Sequence, residues 1–187
     1  MENVLKIQDR ASFRAWLKEN GEREKECYIV VKRGKPTDDG AFYYLDAVEE
    51  ALCFGWIDST TKPIDGLRYQ RFSPRAKNGN WTELNKERVR RLEKLGLMTD
   101  RGRAVLPKGF DTFVFDEEVV NNLKEQKAWD TFCSFPPLYQ RVRVSNIVFY
   151  RKHLPEQYEK ALFHLIEMTK KGKTYGEWND YGRLTDD

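Results

Sequence analysis

YLDAVEEALCFGWIDSTTKPIDGLRYQRFS, residues 44–73, changes its period partway along, and that change decides the fold. Leu45, Val48 and Leu52 recur at helical spacing, so residues 44–54 read as a helix, closed by Gly55. Residues 57–62 then read as a strand. Pro63, Asp65 and Gly66 make a turn, and residues 67–73 return as a second strand. A helix followed by two strands that double back predicts an α+β lobe with a small antiparallel sheet.

Working outward, residues 12–20 (SFRAWLKEN) predict a short helix. Ser12 can cap it, Phe13, Trp16 and Leu17 share a face, and Gly21 stops it. Residues 27–32 (CYIVVK) form a β-branched run and read as another strand. Residues 34–40 are turn-rich, and residues 73–80 (SPRAKNGN) are a loop. A further helix over residues 81–95 is capped by Asn80, with Glu83 three residues on in a capping-box pattern. Residues 98–115, with Gly102, Pro107 and Gly109, read as an irregular connector between two lobes. Beyond it, Asp116 can cap a helix over residues 117–126. Residues 138–152 and 156–171 are also helical, and residues 173–187 form a polar, loose tail. The chain therefore divides into a motif-bearing α+β lobe, residues 1–105, and a helical C-terminal lobe, residues 106–187.

Forty per cent of residues are apolar, 34% are charged and 13% are aromatic. That is enough large apolar material for a core, and it excludes wholesale disorder. Net charge is only +3, but residues 68–103 hold 11 Lys/Arg against 4 Asp/Glu. This local excess is either a solvated face or a surface for an anionic partner. Three separated cysteines and two histidines do not make a disulfide framework or a zinc site. No apolar run approaches the ~20 residues of a membrane helix, and residues 1–10 lack an apolar signal core. The expectation is a cytoplasmic, reduced protein with no membrane insertion, no metal and no cofactor.

The helix at residues 81–95 breaks its own apolar pattern. At about 100° per residue, Trp81, Leu84, Val89, Leu92 and Leu95 define one arc. Arg88 and Asn85 fall inside it. An inward guanidinium needs a partner, because burying it alone costs several kcal/mol. That partner is either a carboxylate such as Asp58 or Glu49, or a bound anion. In the strand before this helix, Tyr69, Arg71, Ser73 and Arg75 share one face. Arginine interleaved with aromatics suits phosphates and stacked bases, and equally an ordinary exposed strand.

The run EALCFGWIDS (residues 50–59) resembles the signature of the YdeI/OmpD-associated, bacteriocin-protection (OmdA) family. It is followed in order by Arg71-Phe72-Ser73-Pro74-Arg75, by Asn80-Trp81 and by Leu84-Asn85-Lys86-Glu87-Arg88-Val89. These resemble that family's following blocks. The resemblance covers about residues 42–100, with a looser match over 117–172. It implies a soluble bacterial protein linked by name to envelope stress or bacteriocin tolerance, and it supplies no catalytic residues.

No Gly-rich phosphate loop, nucleophile elbow or metalloprotease motif occurs. Cys53 follows Asp46, Glu49 and Glu50, which disfavours its thiolate. Binding is therefore expected ahead of catalysis. Candidate ligand-binding residues are Trp56, Asp58, Arg71, Arg75, Trp81, Asn85 and Arg88. A nucleic-acid face would use Arg68, Lys77, Lys86, Arg90 and Lys94. The alternatives are an enzyme or sensor with a pocket around Asp58 and Arg88, and a protein-interaction role for the aromatic segment 129–138. The oligomeric state is open.

Overall fold

The computed structural model describes residues 3–77 and 79–185. Asn78 of the expected 73–80 loop, Met1 and Glu2, and the last two tail residues lie outside them. The chain forms two compact units. One takes in the chain up to Asn80 together with Arg88–Lys108; the other takes in Trp81–Glu87 and everything from Gly109 on.

The first unit is α+β. Its elements are α1 (Arg10–Asn20), β1 (Cys27–Val30), α2 (Tyr44–Cys53), β2 (Trp56–Ile64) and β3 (Leu67–Pro74), then the later part of α3 (Glu83–Lys94), and α4 (Asp100–Ala104). The strands make an antiparallel sheet in the order β1-β3-β2. Asp65 and Gly66, both at positive φ, close the β2–β3 hairpin, the backbone that a tight Asp-Gly turn requires. Pro63 sits within β2, which tolerates it as an edge strand.

Burial alternates along β3. Gln70 and Phe72 are buried, while Tyr69, Arg71 and Ser73 are half-buried. The inner face receives Phe13 of α1, whose ring lies 5.3 Å from Phe72. Trp16 meets Trp56 edge-on at 5.6 Å, and Trp56 donates its indole N–H to Gly21 O at 3.0 Å.

Charged groups also fix this unit. Glu49 and Glu50 of α2 are buried. Arg10 bonds both, at 2.8 and 2.5 Å. Arg14 bonds Glu50 at 2.8 Å and Arg91 bonds Glu49 at 2.9 Å. Carboxylates this dry persist only with such partners.

Several boundaries differ from the sequence expectation, each for a local reason. The α1 helix starts at Arg10 because Asp9, rather than Ser12, is the cap: its carboxylate accepts from the Ser12 amide and hydroxyl at 2.7 and 2.8 Å. Two bonds to the charged form hold Asp9 below the usual carboxylate range. The cap of α3 is Thr82, whose hydroxyl accepts from the Asn85 amide at 3.1 Å. Trp81 thus precedes the helix. Leu95 follows it and is exposed; Trp81, Arg88, Val89 and Leu92 are the buried members of the expected arc.

The stretch expected to be irregular contains α4. Thr99 caps it and also donates to Cys53 O at 2.5 Å. A Cβ on Gly102 would stand 2.5 Å from the same carbonyl, so only glycine allows α4 this close to the end of α2. Gly55, at φ 73°, is equally constrained: its Cβ would stand 2.9 Å from Arg101 O.

The second unit is helical beyond Gly109. It contains α5 (Glu117–Glu125), capped by Asp116, then α6 (Trp129–Cys133), α7 (Pro137–His153) and α8 (Pro155–Lys170). Val119, Leu123, Phe132, Tyr139, Ile147 and Leu165 centre its core. The described part of the tail expected to be loose is anchored here by two aromatic side chains. Tyr175 and Trp178 meet Tyr139 edge-on at 6.2 and 5.6 Å, and Arg143 donates to Tyr175 O. No helix among the described residues is long and apolar enough to cross a membrane.

Candidate functional site

After β1 the chain makes one more pairing: Lys32 N–H donates to Phe42 O and Tyr44 N–H donates to Lys32 O, both at 2.9 Å. This bridge sets Arg33 beside the first residue of α2, Tyr44. The Arg33 guanidinium carbon lies 3.7 Å from the centre of the Tyr44 ring, a cation–π arrangement. The Tyr44 hydroxyl donates to Asp58 Oδ2 at 2.6 Å.

Gln70 holds the group from beneath. The ladder between β2 and β3 slips between Asp58 and Thr61, leaving bulge carbonyls to satisfy. The fully buried Gln70 amide donates to Ser59 O at 2.9 Å and Thr60 O at 3.4 Å. Its oxygen accepts from Arg33 Nη2 at 2.5 Å. One side chain thus repairs the bulge and orients Arg33.

The electrostatics tie two further arginines to the cluster. Burial, with the Asp58 charge and the bond to it, pushes the Tyr44 phenol up to about 12; Arg33 and Arg88 pull it the other way. Burial lowers Arg75 to about 10, opposed by Asp58. Asp58 and Tyr44 therefore lie within the fields of Arg33, Arg75 and Arg88. Arg33 itself is exposed and has no carboxylate partner among the described residues. Its Gln70 bond and the Tyr44 ring fix its direction without neutralising it.

Of the residues expected to bind a ligand, Asp58, Arg75 and Arg88 share this neighbourhood. Trp56 is core, only 1% exposed. Arg71 lies on the outer face of the sheet, where it bonds Glu26 at 2.6 Å and Ser59 Oγ at 3.0 Å. Trp81 and Asn85 belong to the second unit, where the Trp81 ring meets Phe110 at 6.4 Å. Of the carboxylates expected as partners, Asp58 accepts from Tyr44, and Glu49 accepts from Arg10 and Arg91.

On the proposed nucleic-acid face, Arg68, Lys77 and Lys94 are exposed and Arg90 is half-buried. Lys86 is instead turned onto Glu83 at 2.8 Å, with 13% of its side chain exposed.

Sequence reasoning missed Arg33, Tyr44 and Gln70 as site residues. Gln70 carried a usable signal, a polar side chain on the apolar face of a strand, which must find partners. Arg33 and Tyr44 carried none, because only the Lys32–Tyr43 bridge joins them. Among the described residues, no group of three or more His, Cys, Asp or Glu could hold a metal ion. Burial and the Glu50 charge push the Cys53 thiol up to about 11.

No curated protein and no solved structure matches the chain. Residues 5–105, which carry the whole Tyr44–Asp58 cluster, match the model of a domain of unknown function, DUF8412, and the chain belongs to that family.

Proposed function

We propose that the chain is a binding module for an anionic ligand and that Arg33 is the residue that meets it. The observation that carries this reading is an exposed guanidinium held face-on to Tyr44 and tied to buried Gln70, with no carboxylate against it. A guanidinium fixed this way loses little side-chain freedom when an anion arrives, and its planar fork suits carboxylate or phosphate oxygens. Arg75 and Arg88 add positive field behind it, while Asp58 is spent on the Tyr44 hydroxyl.

Binding ranks above catalysis because the polar groups of the cluster are already bonded to one another. Tyr44 is held as a neutral donor and Cys53 as a buried thiol. The resemblance to the YdeI/OmpD-associated family spans Asp58, Arg75 and Arg88. On that basis we propose a cytoplasmic role in envelope stress or bacteriocin tolerance.

Thermal-shift screening tests the reading, with citrate, inorganic phosphate, ATP and a short single-stranded DNA at two salt concentrations. A ligand that binds the folded state raises Tm by mass action. A small anion whose shift survives moderate salt supports the module. A shift seen only with DNA and lost in salt replaces it with the nucleic-acid face.

A further inference from the structure

A second cationic recess lies elsewhere in the first unit, sharing no residue with the Tyr44–Asp58 cluster. It has a volume of about 430 Å³ and is lined by Arg14, Lys18, Phe54, Thr99, Asp100 and Arg101. That volume falls within the range of small-molecule sites, roughly 300–1,000 Å³.

Its cations are placed by the backbone. Arg14 Nη2 donates to Leu97 O at 2.7 Å. Arg101 Nη1 and Nη2 donate to Leu17 O and Lys18 O in the last turn of α1 at 3.3 and 3.1 Å. Both guanidiniums lie over the buried Phe54 ring, at 5.2 and 5.9 Å from its centre. Carbonyl and ring contacts orient a guanidinium and leave its full charge.

The neighbouring acids offset that charge incompletely. Glu50 accepts from Arg14 at 2.8 Å but is shared with Arg10 at 2.5 Å. Glu22, 2.9 Å from Arg101, has 69% of its side chain exposed, so water screens the pair. Asp100 faces Arg103 at 3.0 Å and is fully exposed. The Lys18 ammonium is exposed, with no partner among the described residues. Three cations thus converge on one small recess with positive charge to spare.

We infer that this recess binds the phosphate group of a small phosphorylated metabolite. A phosphate monoester carries close to two negative charges and three acceptor oxygens near neutral pH, which calls for more than one donor group. The N–H groups that Arg14 and Arg101 keep beyond these bonds, together with the Lys18 ammonium, supply that. A nucleic-acid strand would need a track of such sites, and a recess of this size offers one.

The test is an NMR titration of the full chain with inorganic phosphate and with methyl phosphate. It follows the Arg14 and Arg101 side-chain Nε–H signals and the amides of Phe54, Thr99 and Arg101. The expected result is saturable shifts at these signals in the wild type and in Arg33→Ala, with affinity about tenfold or more weaker in Lys18→Glu, a change of one converging charge. Lys18 is exposed, so this variant keeps its fold, and Lys18→Arg restores binding. Shifts centred on Arg33, shifts that never saturate, or equal affinity in Lys18→Glu would each overturn the inference. Loss of an anion response in Arg33→Ala alone bears on the Tyr44–Asp58 cluster and leaves this recess without a ligand.

Discussion

The Tyr44 hydroxyl donates to Asp58 Oδ2 at 2.6 Å, and that bond joins the first turn of α2 to the strand position just before the β2 bulge. It explains how a carboxylate can sit near Arg33, Arg75 and Arg88 without closing on the exposed one. Asp58 is oriented by a neutral donor, and the phenol ring in turn carries Arg33 on its face.

Tyr44→Phe keeps the ring and removes the donor. A hydrogen bond to a charged acceptor contributes roughly 1.5–3 kcal/mol, and a loss of about that size is expected in urea unfolding. The deficit is pH-dependent. The Tyr44 pKa rises from 10.0 to about 12 on folding, so the neutral phenol's contribution is complete below pH ~10 and disappears as the pH climbs through ~12. The stability difference between wild type and Tyr44→Phe should shrink over that window. A difference that stays constant there would contradict the bond.

Gln70→Leu preserves bulk and strands the bulge carbonyls of Ser59 and Thr60. Ser59 and Thr60 are exposed, so water can take over their carbonyls, and a loss of about 0.5–1.5 kcal/mol, the net contribution of a hydrogen bond, is expected. The same substitution releases Arg33 and should weaken anion binding while leaving Arg33 in place. A variant as stable as the wild type would show that Gln70 is not what satisfies the bulge.

Glu49→Gln tests the charge network of the first unit. Glu49 is fully buried, yet Arg10 and Arg91 each keep about a third of their side chains in water. The loss should therefore fall near 2 kcal/mol, below the roughly 3–5 kcal/mol expected when a fully dry pair is broken. Equilibrium denaturation measures it, and no change would mean that the network contributes nothing net.

The three cysteines should separate by reactivity. Cys133 is exposed, whereas Cys27 and Cys53 are buried with thiols pushed up to about 12 and about 11. A disulfide-exchange reagent near pH 8 should modify one thiol quickly and the other two only after denaturation. Rapid loss of all three would mean that the first unit opens readily.

The helix–strand–turn–strand reading of residues 44–73 carried the α+β fold, because burial on one face writes its period directly into the residues. Helix ends were harder to read. Asp9 and Ser12 can both cap, and so can Asn80 and Thr82; a single amide bond separates the choices. The α4 helix hid behind Gly102, a residue that breaks helices in general and is required here by contact with Cys53 O.

In the candidate site, Arg88 was legible as a charge inside an apolar arc, and it is buried. Arg71 stands apart from the cluster: its spacing beside Tyr69 holds on either face of a strand, and the sheet sets it against Glu26. Arg33 and Tyr44 are eleven residues apart with no shared period. Their meeting is a product of tertiary pairing.

The most direct test of the account is the anion thermal-shift panel run in parallel on wild type and Arg33→Ala. Truncating Arg33 removes the donor to the buried Gln70 oxygen and the contact with the Tyr44 ring, so a loss of roughly 1–3 kcal/mol in unliganded stability is expected, and each protein's shifts are read against its own unliganded Tm. The account predicts at least one small anion that raises the wild-type Tm and has no effect on Arg33→Ala. An identical set of shifts in the two proteins, or no shift with any anion in the wild type, would contradict it.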